Sequence, residues 1–143
     1  MNTLEKEFVP YEPSLDMKEL GFDEPCFGTY LSSFQSNWKV YELILEMGMN
    51  EEFEDNRNVY LLEGACSAPT FSQAFRWFRE KYELVVDWNH GQHDNFGSYI
   101  GVCIKNIHFE ETIVGVYKTY EKTELACLIK LIQIVKEKKW THQ

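Results

Sequence analysis

The sequence lacks most of the patterns that identify a membrane protein or a common enzyme. It has no run of 18 apolar residues, so we expect no transmembrane helix, and no apolar segment near its start that would suggest secretion. It contains no G-x-x-x-x-G-K-[ST], no G-x-G-x-x-G, no G-x-S-x-G and no H-E-x-x-H. These absences argue against the commonest enzyme classes and predict a cytoplasmic protein that contacts no membrane.

Cysteine is sparse, with four in 143 residues. Cys26, Cys66, Cys103 and Cys127 form no C-x-x-C pair, whereas zinc sites usually draw on cysteines a few residues apart. We interpret all four as reduced thiols that pack like small apolar side chains. Nothing in the sequence places a base beside Cys26, so a structural role is favoured over a nucleophilic one.

Basic residues are also few. The chain has 14 lysines and arginines against 23 aspartates and glutamates, a net charge of −9. Residues 1–63 hold 14 acidic and 4 basic side chains, whereas residues 64–143 hold 9 and 10. Phosphate backbones repel such a chain, so direct nucleic-acid binding is disfavoured. Two interpretations of the acidic half stay open, because it could simply keep the protein in solution or could contact a basic partner surface.

Aromatic residues, in contrast, are dense. The chain has 10 Phe, 8 Tyr and 4 Trp, and apolar residues make up 44% of it. A few such rings bury enough area to anchor a small fold. The length suits a single domain over residues 1–143, in which an acidic N-terminal part (1–63) precedes a core (70–138).

Hydrophobic periodicity predicts an α+β fold. In the first half we expect a short helix over 10–20 that ends at Gly21, and strands over 26–31 and 59–62. Residues 38–47 match a helical stripe as well as a strand, and their Val, Tyr and Ile content favours the strand. The acidic stretch 50–58 is predicted to be a loop.

The second half is predicted in the order α-β-β-β-α. A helix follows Thr70, strands cover 84–88, 99–104 and 112–117, and a last helix covers 120–138 with Thr119 as its cap. Short connections favour an antiparallel sheet with both helices packed on one face. The double-stranded-RNA-binding domain shares this order, but Glu121 and Glu124 at the start of the last helix have the wrong sign for phosphate.

Four blocks of the sequence resemble a family of small proteins encoded by tailed phages, prophages, related mobile elements and Bacteroidota genomes. The blocks are F-V-P-Y-E (8–12), K-E-L-G-F-D-E-P-C-F-G (18–28), Q-A-F-R-W-F-R-E-K-Y (73–82) and T-Y-E-K-T-E-L-A-C-L-I-K-L-I-Q-I-V-K (119–136). The resemblance covers about a third of the chain. It implies expression in the cytoplasm of a host cell, and it implies no activity, cofactor or catalytic residue.

Two sets of residues are candidate sites. Arg76 and Arg79 lie three residues apart on the outer side of a predicted helix, next to Trp77, a combination typical of recognition surfaces. In the alternative, Trp77 covers the edge of the core and the arginines pair with glutamates. His90, His93 and Asp94 form H-x-x-H-D in a predicted polar loop over 89–95, where two imidazoles and a carboxylate could bind a transition metal. Further ligands would have to come from elsewhere, with Cys103 and His108 the nearest candidates in sequence.

We therefore expect a non-enzymatic binding protein whose partner is a host or phage protein. No cofactor is predicted, and the sequence leaves a homo-oligomer open. The first alternative is a small metalloprotein or hydrolase that uses His90, His93 and Asp94. The second alternative is a protein that binds a small molecule in an aromatic-rich pocket.

Overall fold

The chain forms two compact units, Met1–Phe71 and Ser72–Gln143, which are described here separately. The computed structural model describes residues 4–35, 38–45, 58, 64–95 and 97–141. Its helices and antiparallel sheets confirm the α+β class. The expected single domain stays a prediction. The strand predicted over 59–62 and most of the acidic loop over 50–58 lie outside the described residues.

The first α-helix of the first unit is α1 (Tyr11–Glu19), which ends as its sequence predicts. Gly21 takes a left-handed φ of 102°, and its N–H bonds to the carbonyl of Lys18 while the N–H of Phe22 bonds to that of Met17. This pair of hydrogen bonds is the Schellman motif, in which a glycine provides the left-handed conformation at low cost.

Helix α1 packs against a three-stranded antiparallel sheet. Its strands are β1 (Gly28–Gln35), β2 (Trp38–Leu45) and β3 (Cys66–Ala68), in the order β2-β1-β3. The prediction of a strand over 38–47 is therefore confirmed. Three tyrosines join helix and sheet: the Tyr11 ring stacks on Tyr41 at 4.2 Å and meets Tyr30 edge-on at 5.5 Å. The Tyr30 hydroxyl donates to the carbonyl of Val9 at 2.9 Å, which satisfies a buried polar group.

The second unit has the predicted order. Helix α2 (Phe71–Tyr82) leads into the antiparallel strands β4 (Val85–His93), β5 (Gly97–Lys105) and β6 (Glu111–Tyr117), and helix α3 (Tyr120–Thr141) follows. Thr119 caps α3 as predicted, since its hydroxyl accepts the N–H of Lys122.

Both helices of the second unit lie on one face of its sheet, as expected. Trp88 of β4 contacts Phe75 of α2 at 6.4 Å and Tyr120 at the start of α3 at 6.3 Å. Helix α3 packs on β5 and β6, and β5 buries every second side chain. Those buried side chains are Ile100, Val102 and Ile104, and the buried apolar residues of α3 are Cys127, Leu128, Leu131, Ile132 and Val135.

Two local predictions are wrong. Residues 89–95 were expected to be a loop, but Asn89–His93 continue β4 because they pair with Gly97–Gly101. Strand β3 was not predicted, and it exists because three residues pair with Gly28–Tyr30 of β1. Among the described residues, no helix combines the length and the apolar composition needed to cross a membrane.

Candidate functional site

A groove lies between helix α2 and strand β4 of the second unit. On α2, residues at helical spacing face the strand, and on β4 residues spaced by two face the helix. The connection between the two elements is only Glu83 and Leu84, so the strand returns directly along the helix. The lining residues are Ser72, Phe75, Arg76 and Arg79 from α2, and Leu84, Val85, Val86 and Trp88 from β4 and its approach. The groove has a volume of about 440 Å³.

The floor of the groove is apolar. Phe75 and Trp88 meet edge to face, with an interplanar angle of 73°, in an arrangement that aromatic rings favour. Leu84 is buried, and Phe75, Val86 and Trp88 are half-buried. Their accessible apolar surface is available to a ligand that enters the groove, and covering that surface would favour binding.

The wall of the groove carries positive charge. Arg76 and Arg79 are both exposed and both border the groove. Asp87, the carboxylate of β4, is in an ion pair with Lys105 at 2.9 Å, and Lys105 also lies 3.7 Å from Glu111. Hydrogen bonding to Asp87 raises the pKa of Lys105 above its usual value. Two guanidinium groups above an apolar floor suit a ligand with both carboxylates and apolar groups.

Trp77 does not share this surface. It is only 5% exposed, and its ring contacts Phe78 at 5.0 Å and Tyr82 at 5.4 Å. The ammonium group of Lys81 lies 5.0 Å from the centre of the same ring, within cation–π range. The structure therefore brings Arg76 and Arg79 together and separates them from Trp77, as in the alternative in which that ring covers the core.

Strand β4 is an edge strand. The sheet order is β4-β5-β6, and within the described part of the chain β4 pairs with β5 alone. An edge strand presents the N–H and C=O groups of every second residue to its outer side. The groove beside Val85–Trp88 is therefore bordered by backbone groups as well as by the arginines.

The three residues of the predicted metal site do not converge. His90 and His93 are three residues apart in one strand, so they point to opposite faces of the sheet. The Nε2 atom of His90 shares a hydrogen bond with the Tyr120 hydroxyl, and Nδ1 of His93 accepts the N–H of Asn95 at 3.2 Å. Among the described residues, no group of three His, Cys, Asp or Glu side chains is arranged to hold a metal ion.

Sequence reasoning missed most of the groove. It singled out the two arginines but did not connect them with Phe75, Val86 or Trp88. The available signal was the two-residue connection after α2, which forces the next strand to run back along the helix. In comparisons with protein-family models, curated proteins and solved structures, the chain matches none.

Proposed function

We propose that this protein is a non-enzymatic binding module that holds an acidic segment of a partner protein in the α2–β4 groove. The single observation that carries the proposal is the placement of Arg76 and Arg79 above the floor formed by Phe75, Val86 and Trp88. Carboxylates of the partner pair with the guanidinium groups, and its apolar side chains cover the floor.

The net charge of −9 does not oppose this proposal at physiological salt. The excess acid lies in residues 1–63, whereas residues 64–143, which contain the groove, have 9 acidic and 10 basic side chains. Exposed charges further apart than about 8 Å are largely screened at 0.15 M ionic strength, so the local arginines decide the interaction. A nucleic acid is less suitable, because its affinity depends on many phosphate contacts and the groove offers two cations.

The resemblance to proteins of phages and mobile elements supports a cytoplasmic partner in the host cell, encoded by the host or by the phage. The four sequence blocks that carry this resemblance include residues 73–82 of α2, and with them its two groove arginines.

A displayed library of random dodecapeptides, selected on the full chain, tests the proposal. We expect enriched peptides to contain acidic and apolar residues, and we expect Arg79→Glu to reduce the enrichment of acidic residues, because only Arg76 then remains to pair with them. Lys122→Glu is the matched control, since it makes the same change of charge at an exposed position on α3. A library without enrichment, or an enrichment that Arg79→Glu leaves unchanged, contradicts the proposal. Tighter binding of a single-stranded DNA oligonucleotide than of any selected peptide also contradicts it.

A further inference from the structure

We propose that the acidic segment binds as an extended strand along the outer edge of β4 and becomes the fourth strand of the β4-β5-β6 sheet. This inference rests on the proposed function and specifies the conformation of its ligand. It combines two observations on the same groove, the unpaired edge within the described part of the chain and the two arginines.

The backbone of β4 provides the first part of the binding site. The groove borders Val85–Trp88, a length of about 13 Å at the rise of a β-strand. Three or four residues of an extended peptide therefore fit beside it. Over this length, alternate residues of β4 direct an N–H and a C=O outward, and an added strand pairs with them in the mode called β-augmentation.

The side chains on α2 provide the second part. Arg76 and Arg79 are separated by about 4.5 Å along the helix axis, because each helical residue rises about 1.5 Å. Side chains on one face of an extended peptide repeat about every 6.7 Å. The long, flexible arginine side chains span this difference of about 2 Å, so two carboxylates two residues apart on the peptide reach one arginine each.

A bound helix is the less suitable ligand. A helix with its side chains is about 10–12 Å wide and satisfies its own backbone groups, so it would leave the edge of β4 unpaired. The groove instead places an open strand edge beside α2, so that one face of an added strand turns to both the apolar floor and the arginines. In an alternating peptide the glutamates take this face, where their methylene groups cover Phe75, Val86 and Trp88 and their carboxylates reach the arginines. The apolar residues take the opposite face, where β-branched side chains favour the extended conformation, and the expected ligand therefore alternates acidic and apolar residues.

The synthetic peptide acetyl-Val-Glu-Val-Glu-Val-Glu-amide is the probe. With ¹⁵N-labelled full chain and the peptide at saturating millimolar concentration, hydrogen exchange followed by NMR should show slower exchange at alternate amides of Val85–Trp88. Two isomers of the peptide, N-methylated at its second and fourth or at its third and fifth residues, provide the matched control. We expect one isomer to bind about tenfold more weakly and the other to bind like the parent, because only one set of N–H groups faces β4.

The outcomes separate the inference from the proposed function. The peptide could bind in a way that Arg79→Glu abolishes, and yet give no alternating protection in β4 or equal affinities for the two isomers. That result would overturn the added strand and leave the acidic-segment proposal intact. If the hexapeptide does not bind but selected acidic peptides do, the added strand is likewise overturned and the acidic-segment proposal remains. If no acidic peptide binds at all, both proposals fall.

Discussion

The ring of Tyr99 lies over Gly91, its cross-strand partner in the β4–β5 hairpin. A Cβ atom on Gly91 would overlap the outer end of this ring. Gly101 lies on the same face of the sheet, but a Cβ atom there would be 3.5 Å from the carbonyl oxygen of Asn89, an ordinary contact. The two glycines therefore differ in what they tolerate, although both are interior to strands.

We expect Gly91→Ala to lower the free energy of unfolding by about 1–2 kcal/mol, because the new methyl group displaces the Tyr99 ring from the strand. Gly101→Ala should be neutral or stabilise by up to about 1 kcal/mol, since alanine has less chain entropy to lose in a strand. Urea denaturation measures both. In a Tyr99→Ala background the effect of Gly91→Ala should shrink or reverse. Equal effects of Gly91→Ala in the two backgrounds would show that the ring is not the obstacle.

A buried carboxamide ties together distant parts of the first unit. Asn58 is 4% exposed, its amide group donates to the carbonyl of Phe22, and its carbonyl oxygen accepts the N–H of Ser67, both at 2.6 Å. We expect Asn58→Ala to destabilise by about 2–4 kcal/mol, because it leaves two buried backbone groups without these partners. Asn58→Asp retains an acceptor for Ser67 but places an acceptor against the Phe22 carbonyl, so it should also destabilise. Chemical denaturation tests both variants, and wild-type stability of either would contradict this assignment.

Local patterns predicted the parts of the fold that depend on local chemistry. The end of α1 could be predicted because it depends on a single residue, Gly21, which adopts a left-handed φ. The apolar stripes of α2 and α3 could be predicted because apolar residues recur there at the period of a helix. Asn89–His93 has the composition of a turn, and only its pairing with Gly97–Gly101 makes it a strand. Pairing between distant residues cannot be read from one segment, and the same limit explains why β3 was missed.

The candidate site could also be predicted only where it depends on local sequence. Helical spacing placed Arg76 and Arg79 on one side of α2, where the structure finds them. The burial of Trp77 depends on the rings of Phe78 and Tyr82, and its sequence position next to two arginines concealed that packing. His90 and His93 point to opposite faces of the sheet because Asn89–His93 is part of strand β4.

Alkaline pH should weaken the first unit. Burial raises the pKa of Tyr30 from 10 to about 12 and that of Cys66 from 9 to about 12. A pKa that is higher in the folded state favours the protonated form there. The stability contributed by each group is therefore fully present below its pKa in the unfolded chain. It is lost as pH rises from that value to about 12, the pKa in the folded protein.

The free energy of unfolding should accordingly fall above about pH 9, by about 1.4 kcal/mol per pH unit for each group inside its window. Denaturation curves between pH 8 and 11 measure this slope. Tyr30→Phe loses the hydrogen bond to the Val9 carbonyl, so it is less stable at neutral pH, but its slope above pH 10 should be shallower. An unchanged slope in that variant would exclude Tyr30 as one of the titrating groups.

The loop between β5 and β6 holds an aromatic residue in an unfavourable backbone conformation. The Oδ1 atom of Asn106 accepts the N–H groups of His108 at 2.9 Å and Glu110 at 3.0 Å, and this turn fixes Phe109 at a φ of 61°. Left-handed conformations cost a bulky residue about 1–2 kcal/mol, whereas glycine adopts them readily. The Phe109 ring is 84% exposed, so its removal loses little burial.

We therefore expect Phe109→Gly to stabilise the protein by about 1 kcal/mol, measured as a higher urea midpoint. Ile107→Gly is the matched control, because Ile107 lies in the same loop, is 60% exposed and has no positive φ. That variant should destabilise by about 0.5–1 kcal/mol, since glycine there only adds freedom to the unfolded chain. If Phe109→Gly destabilises as much as Ile107→Gly, the left-handed conformation carries no strain, and the turn formed by Asn106 suits a side chain at that position as well as it suits glycine.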